Sequence, residues 1–268
     1  MYFPGSDLFD RYTSFDMGGT TAKLGAVDDG IPAITPTFEV DPIRYRPGSG
    51  LPISVPAIEL LEIGAGGGSI ARTEFGVIHI GPESAGADPG PICYGLGGQR
   101  PTITDANLVL GYLNPNFFNG GAMTLNVEAA KVGIARDIGE PLELDIDRAA
   151  WGIHAVANAN MEKAMRIVSV ERGRDPRRYS LVAFGGAGPV HAARLAKSIG
   201  IPKVVVPFGA GVGSAIGLLR AEPKIDTSIT RVLEVVAESH SVIAEIYLKL
   251  KEQADRDLHR LGVEAVPN

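Results

Sequence analysis

Short apolar runs separated by glycine-rich turns fill the first hundred residues, and sustained helical periodicity begins only near residue 145. Residues 23–27 and 31–34 are apolar on either side of Asp28-Asp29-Gly30, which predicts a β-hairpin. Residues 70–73 and 77–80 repeat the arrangement around Phe75-Gly76. Between the two lies a Pro-, Gly- and Arg-rich loop over 41–56, then an apolar segment over 57–63. Residues 81–101 carry too many glycines and prolines for regular structure. A loop of that length is functional or disordered, and its small residues favour an ordered, functional one. Thr104 or Asp105 is placed to cap a helix running through Tyr112.

From Asp145 to Arg172, the apolar residues Ile153, Val156, Ala157, Ala164, Ile167 and Val168 recur at helical spacing, with Gly173 as a stop. Residues 180–184 read as a buried strand, 191–199 as a helix, 203–206 as a strand and 215–219 as a short helix. That order predicts a βαβ unit with parallel strands. Residues 235–261 read as an amphipathic helix.

Composition sharpens the picture in three places. The 34 glycines sit in short blocks, as expected of backbone-lined turns converging on a ligand. A net charge of −6 without a basic stripe argues against nucleic acid or a membrane surface as partner. The densest basic cluster, Arg172, Arg174, Arg177 and Arg178, is interrupted by Glu171 and Asp175 and reads as a solvated loop. Cys93 is the only cysteine, so no intramolecular disulfide can form. With no signal peptide or membrane-length apolar run visible, the expected setting is the reducing cytoplasm.

The sharpest chemical signal is Phe15-Asp16-Met17-Gly18-Gly19-Thr20-Thr21. Its glycines let backbone approach an anion, its hydroxyls donate, and Asp16 can hold a metal or a water. Taken alone, the same residues also make an ordinary strand-to-strand turn. Phe184 to Pro189 sits between a strand and a helix, where it serves either a phosphate or close packing. It lacks the third glycine of a dinucleotide fingerprint, and no P-loop motif occurs anywhere. Gly209 to Ser214 is a third such turn, with Ser214 as an N-cap, and Gly66-Gly67-Gly68-Ser69 a fourth. Cys93 reads as a packed thiol. Glu83, Asp88 and Asp105 could bind metal or cap turns. His154 and Asn158, four apart, read as a satisfied buried pair. His79, His191, His240 and His259 share no metal-ligand spacing.

Together these blocks resemble the hydantoinase A/oxoprolinase family. The matching stretches begin with Phe15 to Lys23, Glu62 to Ala71 and Gly81 to Pro91. Thr102 to Leu113, Val182 to His191 and Gly211 to Leu218 follow in order, so the likeness covers roughly residues 13 to 225. The resemblance implies an α/β fold: an actin-like ATPase (ribonuclease H-like) lobe with a mixed sheet and flanking helices. It also implies that residues 1–229 form a nucleotide-binding domain and that 230–268 begin a C-terminal helical segment. The brief lead into the Asp16 strand and the unpartnered last helix are expected of a fragment.

The family couples ATP cleavage to opening of a cyclic amide (hydantoins, 5-oxoproline, lactams) or to ketone carboxylation. By resemblance, Asp16 is catalytic, acting through Mg2+ or another divalent metal or through a water. Gly18, Gly19, Thr20 and Thr21 form a phosphate turn beside Gly66 and Gly67, and Gly185, Gly186, Gly188 and Pro189 an adenosine turn. The family's other phosphate turn lies in an N-terminal domain, so this polypeptide alone is expected to bind and hydrolyse ATP poorly. The implied partners are a small cyclic amide and a hydantoinase B-type second subunit. Thr21-Ala22-Lys23 and Glu62-Ile63-Gly64 look more like the bacterial N-methylhydantoinase and ketone-carboxylase branch than like the 5-oxoprolinases. A ketone carboxylase subunit and a nucleotide-binding module without turnover are the rival readings.

Overall fold

Alternation along the first two strands decides which side of the structure each candidate residue occupies. In strand β1 (Arg11–Met17), Thr13, Phe15 and Met17 face one way and Tyr12, Ser14 and Asp16 the other. Strand β2 (Ala22–Asp28) returns antiparallel, with Asp16 opposite Lys23 and Met17 opposite Ala22. The hairpin expected at Asp28-Asp29-Gly30 forms: Asp29 and Gly30 adopt φ of 51° and 76°, and β3 (Ile31–Pro32) pairs back onto β2. These coordinates are a computed structural model describing residues 10–40, 48–221, 223–234 and 236–262.

Four short strands follow, β4 (Ile34–Thr35), β5 (Phe38–Val40), β6 (Leu51–Ile53) and β7 (Ala57–Ile58), paired β4 with β7 and β5 with β6. The loop expected over 41–56 therefore contains a strand, and its residues 41–47 lie outside the described set. Strand β8 (Leu61–Ile63) adds to β2. Strands β9 (Ser69–Glu74) and β10 (Val77–Ser84) make the second expected hairpin, turning at Phe75 and Gly76. Strand β11 (Ser180–Phe184) pairs parallel with β1, and β12 (Lys203–Val205) pairs parallel with β11. The six-stranded sheet runs β12-β11-β1-β2-β3, with β8 also on β2. This mixed sheet with flanking helices is the α/β architecture expected from the sequence.

The helices are α1 (Ile103–Val109), α2 (Val127–Ile134), α3 (Glu140–Leu142), α4 (Ile146–Val168), α5 (Gly188–Ile199), α6 (Gly213–Arg220) and α7 (Ser239–Arg260). The main core joins Phe15, Met17, Leu24, Leu181 and Ala183 of the sheet to Ile103, Ile153, Met161, Met165 and Leu195 of α1, α4 and α5. On the opposite face, Tyr12, Val27 and Val182 form a smaller cluster. Two compact units result, Met1–Ile216 and Gly217–Asn268. Within the second, Thr227 Oγ1 donates to the Leu250 carbonyl of α7 at 3.5 Å.

Several boundaries differ from expectation for local reasons. The cap of α1 is Thr102, two residues before the first candidate, because Asp105 at the third helical position reaches back to the Thr102 N–H (2.9 Å). Helix α4 opens at its Asp145 cap but ends at Val168, where Ser169 Oγ donates to the Met165 carbonyl at 2.6 Å. Gly173 then ends a 3-10 turn in the left-handed region. Helix α5 starts at Gly188, three residues before the expected His191. Helix α2 went unread because Gly133 interrupts its pattern and Gly139 and Pro141 follow just beyond its end. Gly133 is needed where Ile92 packs against the helix.

The Arg cluster also departs from a solvated loop. The Arg174 guanidinium, only 17% exposed, bonds Asp28 at 2.9 Å, Tyr179 donates to the same carboxylate, and Arg172 pairs with Glu59. Burial alone would raise Asp28, but the bonds from Tyr179 and Arg174 outweigh it and hold the carboxyl below its usual range. These contacts tie the far end of the β1–β2 hairpin to the β11 approach.

Asp105 is fully buried and accepts from the N–H groups of Ile92, Cys93 and Thr102 and from Thr102 Oγ. Thr102→Ala is expected to cost about 1–2 kcal/mol, and Asp105→Ala about 3 kcal/mol or more, since it strands several buried donors. Urea denaturation measures both. Equal midpoints for the two variants would contradict this account of the loop.

Candidate functional site

The Asp16 turn is a strand-to-strand turn, as one of its two readings held, and other glycine-rich segments close around it. Gly18 N–H donates to the Thr21 carbonyl at 3.0 Å and closes the turn. Gly67 N–H and Gly68 N–H then donate to the carbonyls of Gly18 (2.9 Å) and Gly19 (2.6 Å). A Cβ on Gly66 would lie 2.5 Å from Gly19 C and from Thr20 N and C, so only glycine permits this approach. Ser69 Oγ accepts from Gly66 N–H at 2.8 Å and fixes the triple-glycine bend.

Asp16 lies on the sheet face away from the main core. Gly185, at φ 80°, packs so closely on Asp16 and Met17 that a side chain would collide with both. Gly185 N–H donates to the Ala210 carbonyl (2.8 Å), and Ala187 N–H to Met17 (2.9 Å). Ser214 was expected to cap α6. It lies instead inside that helix, and its Oγ donates to Asp16 Oδ2 at 2.6 Å. On the neighbouring strand, Lys23 Nζ bonds Thr21 Oγ1 at 3.2 Å and pairs with Glu62 at 3.3 Å. Three segments far apart in sequence thus meet at one carboxylate: 16–21, 185–189 and 209–214.

On the other side of the turn opens a cavity of about 270 Å³. Of the candidate residues, Gly18, Gly19, Thr20, Gly67 and Gly186 line it. Asp16, Thr21, Gly66, Gly185, Gly188 and Pro189 lie outside its lining: Gly66 and Gly185 buttress the turn, and Gly188 and Pro189 open α5. The long loop is ordered and contributes Gly86, Ala87 and Tyr94 to the wall. Tyr94 packs against Phe118 with ring centroids 5.5 Å apart, and Leu113 and Val190 complete the apolar side. Thr104, whose Oγ1 donates to the Gly67 carbonyl at 2.9 Å, and Asn107 supply polar groups from α1.

Asn107 was missed in the sequence. It belongs to a buried network that extends the expected His154–Asn158 pair: its Oδ1 is 2.8 Å from His154 Nδ1 and its Nδ2 3.1 Å from His191 Nε2. Asn158 Nδ2 donates to the His154 carbonyl at 2.7 Å and lies 3.1 Å from His191 Nδ1. The two imidazoles stack 4.7 Å apart, with Trp151 on His154 and Arg194 over Trp151. A signal was present: Thr104 and Asn107, spaced i, i+3, put polar groups on a helix whose neighbours are apolar.

The remaining candidates are structural. Cys93 is fully buried, and burial, then the neighbouring Asp105 charge, pushes its thiol far above the ordinary range. That fits a packed thiol. Glu83 forms an exposed pair with Arg100. No cluster of three or more His, Cys, Asp or Glu suited to a metal occurs among the described residues. No helix among them is long and apolar enough to cross a membrane.

Burial lowers His154 to about 4, assisted by the Arg194 charge, and lowers His191 to about 3, assisted by His154. An unfolded histidine titrates near 6.5, so between these values the unfolded chain binds more protons. The network's contribution is complete above about pH 6.5 and is lost as pH falls through about 4 and then 3. The urea midpoint is expected to drop between pH 6.5 and 4.5, and more shallowly in His191→Gln. A flat wild-type profile over that window would refute the assignment of neutral rings.

Comparison with known proteins fits this geometry. Residues 5–227 match the hydantoinase/oxoprolinase family model. The chain is 42% identical over 222 residues to caprolactamase subunit alpha of Pseudomonas jessenii, covering 82% of this chain and 31% of that protein. It is 37% identical over 218 residues to the acetophenone carboxylase gamma subunit of Aromatoleum aromaticum, covering 81% and 29%. The fold matches the nucleotide-free structure of acetone carboxylase with a TM-score of 0.79 at 26% identity, covering 96% of this chain and 36% of that one. The crystal structure of the Pseudomonas jessenii ATP-dependent caprolactamase matches with a TM-score of 0.73 at 36% identity, over 94% and 36%. The chain spans about a third of the length of the curated relatives it matches first. It belongs to the hydantoinase/oxoprolinase family.

Proposed function

We propose that this chain is the ATP-handling part of a cytoplasmic enzyme that activates the oxygen of a cyclic amide by phosphorylation, preparing the ring for hydrolysis. A hydantoinase B-type subunit is its proposed partner. The observation that carries the reading is the meeting of three glycine-rich segments at Asp16, with Gly185 packed on the carboxylate and Ser214 bonded to it.

The residues present fit the group the family implies. A nucleoside triphosphate needs backbone approached without side chains, and Gly18, Gly19 and Gly186, where a Cβ would meet only open space, leave such backbone free. A divalent ion such as Mg2+ is commonly held by one or two carboxylates together with phosphates and waters, so a lone Asp16 suffices. ATP with Mg2+, when bound, supplies the phosphoryl group to be transferred. Asp16 would hold the metal or orient a water, while Ser214 fixes the rotamer of its carboxylate. Gly18, Gly19, Thr20 and Thr21 would offer N–H and hydroxyl donors to phosphate. Gly66 and Gly67 would hold that turn in place, and Gly185, Gly186, Gly188 and Pro189 would carry the adenosine side. The chain's share of catalysis is positioning and charge neutralisation.

A second reading, ATP-dependent ketone carboxylation, is favoured by the close structural match to acetone carboxylase. Bicarbonate separates the two: a carboxylase needs it for ATP turnover with a ketone, and an amide hydrolase does not.

ADP release by the protein with its second subunit is expected to rise at least ~10-fold on adding a cyclic amide. Asp16→Asn keeps an oxygen for Ser214, so the fold should survive while stimulated turnover falls about 100-fold or more. Unchanged turnover in that variant would remove Asp16 from the mechanism.

A further inference from the structure

Helices α4 and α5 border a second cavity, and none of its lining residues borders the one at the Asp16 turn. Its volume of about 500 Å³ is that of a small-molecule site. Asn158 and Glu162 line it from α4, and Arg194, Lys197 and Ser198 from α5.

One group in the wall is unsatisfied. Asn158 is 5% exposed, and its Oδ1 is a buried acceptor with no hydrogen-bond partner among the described residues. Turning the amide round does not help. Its Nδ2 donates to the His154 carbonyl at 2.7 Å, and a flip would set oxygen against oxygen there. The same nitrogen also lies 3.1 Å from His191 Nδ1. A buried acceptor of this kind calls for a donor from outside the fold.

The charges beside it are unmatched as well. Arg194 rests over the Trp151 ring, and neither it nor Lys197 has a carboxylate at ion-pair distance among the described residues. Glu162 takes Arg166 on Oε1, at 2.8 and 3.1 Å. That bond, against slight burial and with help from Ser198, holds the Glu162 carboxyl below its usual range. A carboxylate accepts about four hydrogen bonds, so Glu162 keeps capacity for a further donor.

Two unmatched cations ask for an anion, while Asn158 Oδ1 and Glu162 ask for N–H donors. A carboxylate and an ammonium on one carbon chain supply both. We propose that this cavity binds an amino acid as its zwitterion, the carboxylate at Arg194 and Lys197 and the ammonium at Glu162 and Asn158 Oδ1. Which amino acid it takes rests on the cyclic-amide reading above. Water adding across a lactam's C–N bond leaves the carbonyl carbon as a carboxylate and the ring nitrogen as an amine, which is protonated near pH 7. The ring-opened product therefore carries both groups, and this is its site. Asn158 joins it, through His191 and Asn107, to the cavity at the turn.

The probe is γ-aminobutyrate, with butyrate and butylammonium as matched controls that each lack one charge. Titration calorimetry on the whole chain, without nucleotide, should show saturable binding of γ-aminobutyrate at least ~10-fold tighter than of either control. Lys197→Glu, on the exposed face of α5, should weaken it ~10-fold or more while the thermal transition stays in place. Glu162→Gln should remove most of the preference over butyrate. The His191 ring nitrogens, which Asn158 contacts, should shift in nitrogen NMR on saturation. An absence of saturable binding, leaving Asn158 Oδ1 to water, would overturn the inference. So would a control that binds as tightly, binding that neither variant changes, or unshifted His191 signals. Turnover keeps the two readings apart. Amide-stimulated ADP release without γ-aminobutyrate binding overturns this site and leaves the proposed function standing. Binding without turnover of any cyclic amide does the reverse.

Discussion

Backbone contacting backbone without intervening side chains is the constraint on which this site depends. The carbonyls of Gly18 and Gly19 accept from Gly67 and Gly68, and Gly66 sits where any Cβ would strike Gly19 and Thr20. Two peptide planes on each side are thereby fixed by backbone partners that carry no rotamer freedom. Such a turn stays rigid beside a ligand without a large apolar core around it. That suits the proposed phosphate contact, because preorganised dipoles act without reorganising.

The sheet then separates two kinds of chemistry. Phe15 and Met17 of β1 feed the main core beneath the helices, and Asp16 emerges on the thinner face with Ser214 and Gly185. The cavity opens on the helical face, lined by α1 and α5. One turn therefore presents the Asp16 carboxylate on one face and its glycine backbone to a cavity on the other.

The buried Asn107–His154–His191–Asn158 network stands behind the cavity. Desolvation keeps both rings neutral near pH 7, and a neutral imidazole can accept as well as donate. A charged His191 would turn an N–H towards the amide nitrogens of both Asn107 and Asn158 and leave neither an acceptor on the ring. Trp151 stacked on His154, with Arg194 over Trp151, extends this rigidity towards the outer surface of α4 and α5.

Local pattern was enough for the hairpins at Asp29-Gly30 and Phe75-Gly76, for α4 from its Asp145 cap, and for the β11–α5–β12 unit. In these the deciding forces act within a few residues: turn dihedrals, capping and amphipathic periodicity. Helix α2 was hidden because its glycine answers to Ile92, more than 40 residues away. The roles of Ser214 and Asn107 were hidden for the same reason, since a hydroxyl or amide declares its partner only when the chain brings one to it. The sequence by itself determined which segments would turn sharply and carry hydroxyls and a carboxylate. Only the tertiary structure decided that 16–21, 185–189 and 209–214 meet at one carboxylate while Gly18, Gly19, Gly67 and Asn107 line the cavity beside it, because strand alternation and long-range packing assign sides that local spacing does not encode.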